Sequence, residues 1–175
     1  MLVHGYAPSA MSKSTVIPIP KGRHANITVS GNYRGISPCS VFAKAYDLVF
    51  INKFQGHLIT SDLQFGFKRR LSTAMCTMVL KETLAYYSTD GGTALCTFLY
   101  ATKAFDRVNY CKLFRLLLHR NIPPIHLRLL LNMYTNSVAT VRWNGVFSNT
   151  FSVLNGVKQG GIVSPVLFCT YIYIY

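Results

Sequence analysis

Asn144-Gly145, set between two β-rich runs, is the strongest local constraint in this chain. Both central residues of a type I′ turn need positive φ, which asparagine and glycine tolerate, and the turn's twist matches that of paired strands. The dipeptide therefore predicts an antiparallel hairpin, with Val138-Ala139-Thr140-Val141-Arg142-Trp143 as one limb and Val146 to Val153 as the other. Elsewhere the apolar period lengthens to three and four residues. Val41, Ala45, Leu48, Val49 and Phe54 predict an amphipathic helix after Ser40. Met75, Val79, Leu80, Leu84 and Tyr87 predict another after Ser72, stopping at Asp90-Gly91-Gly92. Asn109 can cap a helix through Leu113, Leu116 and Leu117, and Pro123-Pro124 opens one through Leu127, Leu130, Leu131 and Tyr134. Ser164-Pro165 begins the last. Residues 1 to 35 look irregular apart from an extended strand over Val16-Ile17-Pro18-Ile19-Pro20, stopped by Lys21-Gly22, with Asn32-Tyr33-Arg34-Gly35 starting a second ordered segment. Ala94 to Tyr100 is a nearly continuous apolar run that reads as a buried strand. The class is mixed α and β.

Half of the 175 residues are apolar, enough for a packed core, and the length suits one domain or one domain with part of another. No run of about 18 uncharged apolar residues provides a membrane span, and the first residues lack the basic and apolar regions of a secretory signal. Cys39, Cys76, Cys96, Cys111 and Cys169 are scattered singly, which argues against a disulfide framework or a structural zinc site and for an intracellular chain with reduced thiols. His4, His24, His57, His119 and His126 lack partners at catalytic or metal-binding spacing. Against 18 lysines and arginines stand only Asp47, Asp62, Glu82, Asp90 and Asp106, a net charge of +13. That balance is the footprint of a nucleic-acid partner, since neutralised phosphates release counterion. A generally basic surface without a partner is the plainer alternative. Scarcity of acids also argues against chemistry that needs several carboxylates.

Four segments now stand in a telling order. Val16 to Gly22 followed by Asn32-Tyr33-Arg34-Gly35-Ile36-Ser37 resembles the fingers motifs of LINE-type (non-LTR retrotransposon) reverse transcriptases. Leu63-Gln64-Phe65-Gly66-Phe67 with Ser72-Thr73 resembles the next fingers block. Phe98 to Val108, containing Ala104-Phe105-Asp106, looks like the first palm motif, and Asn155-Gly156-Val157-Lys158-Gln159-Gly160-Gly161 with Ser164-Pro165 looks like the second. The resemblance covers residues 14 to 175.

It implies an α+β fold, the fingers plus an incomplete palm of a right-hand polymerase, truncated before the hairpin that carries the family's catalytic aspartate pair. Residues 1–13 would be an irregular lead, 14–92 the fingers-like region and 93–175 the palm-like region. The family's activity is RNA-templated DNA synthesis with two Mg²⁺ ions held by palm aspartates. Lys21 and Arg34 match positions against the incoming triphosphate, Phe105 the aromatic beneath the sugar, and Gln159 and Gly160 the loop beside nucleotide and template. Lys68-Arg69-Arg70, the densest basic run, reads as a template-backbone contact or a solubilising loop. The metal-binding position that opens the first palm motif holds Tyr100, and Tyr173 stands at a second expected aspartate, so no catalytic or metal-binding set is intact. Asp106 matches a different aspartate, with a structural role as a turn cap or a partner of Arg107. The resemblance thus predicts a catalytically inactive chain with no metal of its own and weak, phosphate-dominated RNA or DNA binding. It also predicts self-association through an unpaired sheet edge at Ala94 to Leu99. Alternatives are a basic nucleic-acid-binding module without catalysis, or the non-functional product of a decayed element.

Overall fold

A computed structural model describes residues 1, 3–89 and 91–173. The chain begins with a one-turn helix, α1 (Ser9–Ser12), that feeds β1 (Lys13–Pro20) and its neighbour β2 (Tyr33–Ile36). Two helices follow, α2 (Val41–Phe54) and α3 (Thr73–Ser88). After a long irregular stretch come α4 (Tyr110–His119), α5 (Pro124–Thr135), β3 (Val138–Trp143), β4 (Val146–Phe147), β5 (Phe151–Ser152) and α6 (Ser164–Ile172). β1 lies at the centre of the mixed sheet, antiparallel to β2 and parallel to β3 with Ser14 level with Ala139; β4 and β5 both pair with β3.

The core packs α2, α4, α5 and α6 together around Phe50, Leu113, Leu117, Leu130 and Leu167. Local signals hold well here. The Ser72 and Asn109 side chains accept N–H bonds from Met75 and Lys112 and cap α3 and α4, and Pro124 opens α5. Asn144 and Gly145 both take positive φ, 46° and 83°, as the hairpin turn demands. Its second limb is shorter than the sequence suggests, because the Ser148 hydroxyl accepts the Val141 N–H and splits the limb into β4 and β5.

Two expectations fail. The buried face of α2 is Ala43, Asp47, Phe50 and Phe54, whereas Val41, 79% exposed, Leu48 and Val49 face outward. Both stripes have helical spacing and share Phe54, which is buried as expected; the buried face adds Phe50 in place of the outward Val41, Leu48 and Val49. More seriously, Ala94 to Tyr100 is not a strand: it has no regular structure, and Leu95 and Leu99 are 95% and 96% exposed. Five strands already satisfy one another without it, and no described strand offers it backbone partners. The sheet edge predicted there for self-association does not form. Helix α3 buries none of its residues. Asp90, in the predicted turn after α3, and Ile174 and Tyr175 lie outside the described residues. Among those described, no helix is long and apolar enough to cross a membrane.

Candidate nucleotide and nucleic-acid site

The loop 155–161 joins the first palm-like block to the first fingers block, and the second fingers block packs alongside Phe105. Gly156 donates its N–H to the Val108 carbonyl at 2.8 Å and Val157 donates to the Phe105 carbonyl at 2.9 Å, so the two palm-like blocks meet backbone to backbone. Gly156 has φ of +91°, and a Cβ there would sit 2.8 Å from the Asp106 Cα. Only glycine allows that approach. At the loop's other end the Gln159 carbonyl accepts the Ser37 N–H at 2.6 Å, which joins the loop to the segment that leaves β2. Gly160, with φ of +112°, fits against the Ser37 carbonyl, 3.2 Å from where its Cβ would be. The second fingers block arrives through Phe67, whose ring lies 5.8 Å from that of Phe105; Phe168 of α6 closes the other side at 4.6 Å. The Cys169 thiol also donates to the Gly66 carbonyl, at 3.6 Å.

Of the residues singled out in sequence, Phe105, Gln159 and Gly160 thus meet around the loop, with Phe105 half-buried among aromatics, while Arg34 lies exposed on β2, level with Ile19. Lys21 lies just past β1, where its ammonium donates to the Gly31 carbonyl at 2.7 Å and braces the loop between β1 and β2. Lys68 similarly donates to the Thr60 and Ser61 carbonyls, while Arg69 and Arg70 are exposed. Tyr100 is 87% exposed and does not have the buried ring expected of a strand tyrosine, because the strand is missing. Asp106 lies in a single 3-10 turn, Phe105–Arg107. It caps no helix, since Asn109 performs that service for α4, and among the described residues it pairs with no base.

Sequence reasoning passed over Asp47. Its carboxylate, 4% exposed, reaches from α2 to the start of α6 and accepts the Val163 N–H at 3.3 Å and the Ile162 N–H. Burial lifts its pKa to about 6, opposed by those two amides and by the nearby Lys158 ammonium. Burial also depresses Lys158, against the pull of Cys39 and Asp47, and raises the Cys39 thiol. An acid on the apolar stripe of α2 was the available signal.

Among the described residues no three His, Cys, Asp or Glu side chains gather as metal ligands. The phenol at position 100 is a poor substitute for a hard anionic oxygen donor. The residues present do not fit a two-Mg²⁺ centre.

The model of the family described as "Reverse transcriptase (RNA-dependent DNA polymerase)" matches residues 19–174. The chain belongs to the reverse transcriptase family. A "Probable RNA-directed DNA polymerase from transposon X-element" of Drosophila melanogaster is 31% identical to it over 152 residues. That alignment covers 80% of this chain and 16% of the relative, so the reverse transcriptase domain described here spans a small part of that protein's length. Together the two matches bear out its resemblance to the non-LTR retrotransposon enzymes.

Proposed function

We propose that this reverse transcriptase domain binds single-stranded nucleic acid through its phosphates and that this chain does not itself synthesise DNA. The observation that carries the reading is position 100. Where the family's first palm motif opens on a metal-binding aspartate, this chain presents an exposed tyrosine, and the one carboxylate of that motif, Asp106, is exposed and belongs to no cluster of three metal-ligating side chains among the described residues. In this reading Arg34 and Lys21 lie towards a triphosphate, Phe105 lies beneath a sugar, and Gln159 and Gly160 line the template side. Lys68, Arg69 and Arg70 touch backbone. A second reading, a nucleic-acid-binding module that has kept the fold without the chemistry, is favoured by the +13 charge.

Primer extension on an RNA template with Mg²⁺ or Mn²⁺, against a heat-killed control, tests the inactivity. No elongation is expected, and Tyr100→Asp alone should not restore it, because Tyr173 still stands at a second expected aspartate. Reproducible elongation by the parent chain defeats the reading. Retention on single-stranded RNA should weaken linearly on a log–log salt plot, by about 0.7 per contacted phosphate. A cooperative melt would set the binding module apart from a decayed product.

A further inference from the structure

The hairpin built on Asn144-Gly145 is the clearest element in the sequence, yet none of the motif blocks includes it. All five acidic residues lie between positions 47 and 106, so the strands β1 to β5 and their connecting turns carry cations without a single carboxylate. Sidedness follows from one contact. Tyr33 and Trp143 meet edge to face at 5.1 Å across β1, so these two residues share a sheet face, and their chain neighbours Arg34 and Arg142 share the opposite one. Lys13, Ile17 and Ile19 alternate onto that second face, since Ser14 between them is buried. Phe147, level with Arg142, also joins it; its ring is 57% exposed, with the Arg142 guanidinium 5.8 Å from its centre.

Strand geometry sets the spacing. Arg34 is level with Ile19. Arg142 follows Val141, the partner of Val16, and so stands level with Ile17, two residues along and two strands across from Arg34. That is about 12 Å. Lys13, level with Val138, lies about 14 Å from Arg142, four residues along and one strand back. Cations at these intervals, isoleucines between them and an exposed ring under a guanidinium make a surface for a flexible, negatively charged chain with flat apolar groups. A duplex hides its base faces, whereas a single strand offers them for stacking.

We propose that this face, formed by Lys13, Ile17, Ile19, Arg34, Arg142 and Phe147, is a track for single-stranded nucleic acid, with Phe147 stacking a base and Arg142 and Lys13 holding phosphates. The proposal rests on the nucleic-acid reading above and extends it to Lys13, Arg142 and Phe147, which lie outside the motif blocks. The test uses the full chain and labelled single-stranded RNA and DNA of about 12 nucleotides, followed by fluorescence anisotropy over a salt series. Phe147→Ala should weaken binding about tenfold with the salt slope unchanged, because no charge is lost. Arg142→Ala should flatten the slope by about 0.7, as should Lys13→Ala. Circular dichroism melts check that these exposed substitutions leave the fold intact. A loss with either strand supports the track and tells which sugar it accepts. If the parent binds and the three variants bind as well as it does, while a Lys68→Ala, Arg69→Ala, Arg70→Ala variant loses affinity, the track is wrong and the nucleic-acid reading survives. A duplex bound more tightly and insensitive to Phe147→Ala overturns the single-strand assignment. A parent chain that binds neither strand at low salt overturns both proposals.

Discussion

The Asp47 carboxylate stands between opposing demands. The Ile162 and Val163 amides just before α6 and a nearby ammonium favour its charge, while burial opposes it, and burial wins: the pKa rises to about 6. In the unfolded chain the group titrates near the ordinary carboxylate value of about 4. Between these values the folded state binds more protons than the unfolded one, so stability falls as pH rises from about 4 to about 6 and stays lower above that. A gap of about two units corresponds to about 3 kcal/mol. Asp47→Asn keeps an acceptor for Val163 and removes the titration. Its Tm should be flat across that window and no lower than the parent's at pH 7. Asp47→Ala leaves the two amides without an acceptor and should cost about 1 kcal/mol at pH 7. Thermal melts at several pH values check both, and an Asn variant that keeps the parent's decline assigns the titration to another group.

Among the elements, the contrast between Leu95 and Leu113 is the sharpest. Both lie in apolar runs, but Leu113 of α4 is fully buried and Leu95 almost fully exposed. Leu113→Ala should cost about 2–5 kcal/mol through the cavity it leaves, and Leu95→Ala or Leu99→Ala less than about 0.5 kcal/mol. Urea titration measures all three, and a large loss at Leu95 would place the 94–100 run in a packed strand after all. What sequence could disclose follows the same division. Caps at Ser72 and Asn109, the prolines that open α5 and α6, and the Asn144-Gly145 turn are decided within four residues and read correctly. The fate of 94–100 depends on whether a distant strand pairs with it, which composition cannot show. The α2 face was misread because a buried acid broke the apolar stripe. At the candidate site the order of the four blocks was legible, but their junction was not: it is made by N–H and C=O groups of Gly156, Val157, Gln159 and Ser37, which leave little trace in side-chain identity beyond the glycines.

The whole molecule combines a net charge of +13 with apolar surface that its own fold leaves uncovered, on α3 at Met75, Met78 and Val79 and along 94–100. Charge repulsion is screened beyond about 8 Å at physiological salt, whereas apolar contact is not. The chain should therefore sediment as a monomer at low ionic strength and self-associate as salt rises. A monomer under both conditions would show that those surfaces are too dispersed to drive association. The parallel pairing of β1 with β3 has another consequence, one of timing. Ser12 and Ser137, hydrogen-bonded beside that ladder, are 125 residues apart. At roughly 5–20 residues per second, the ribosome delivers β3 between about 6 and 25 seconds after β1. Through that interval β1 has β2 to pair with along Ile17 to Pro20, while Lys13 to Val16 waits without its mate. The first hairpin to emerge is thus among the last to be seated, and slower translation lengthens its exposure to proteases.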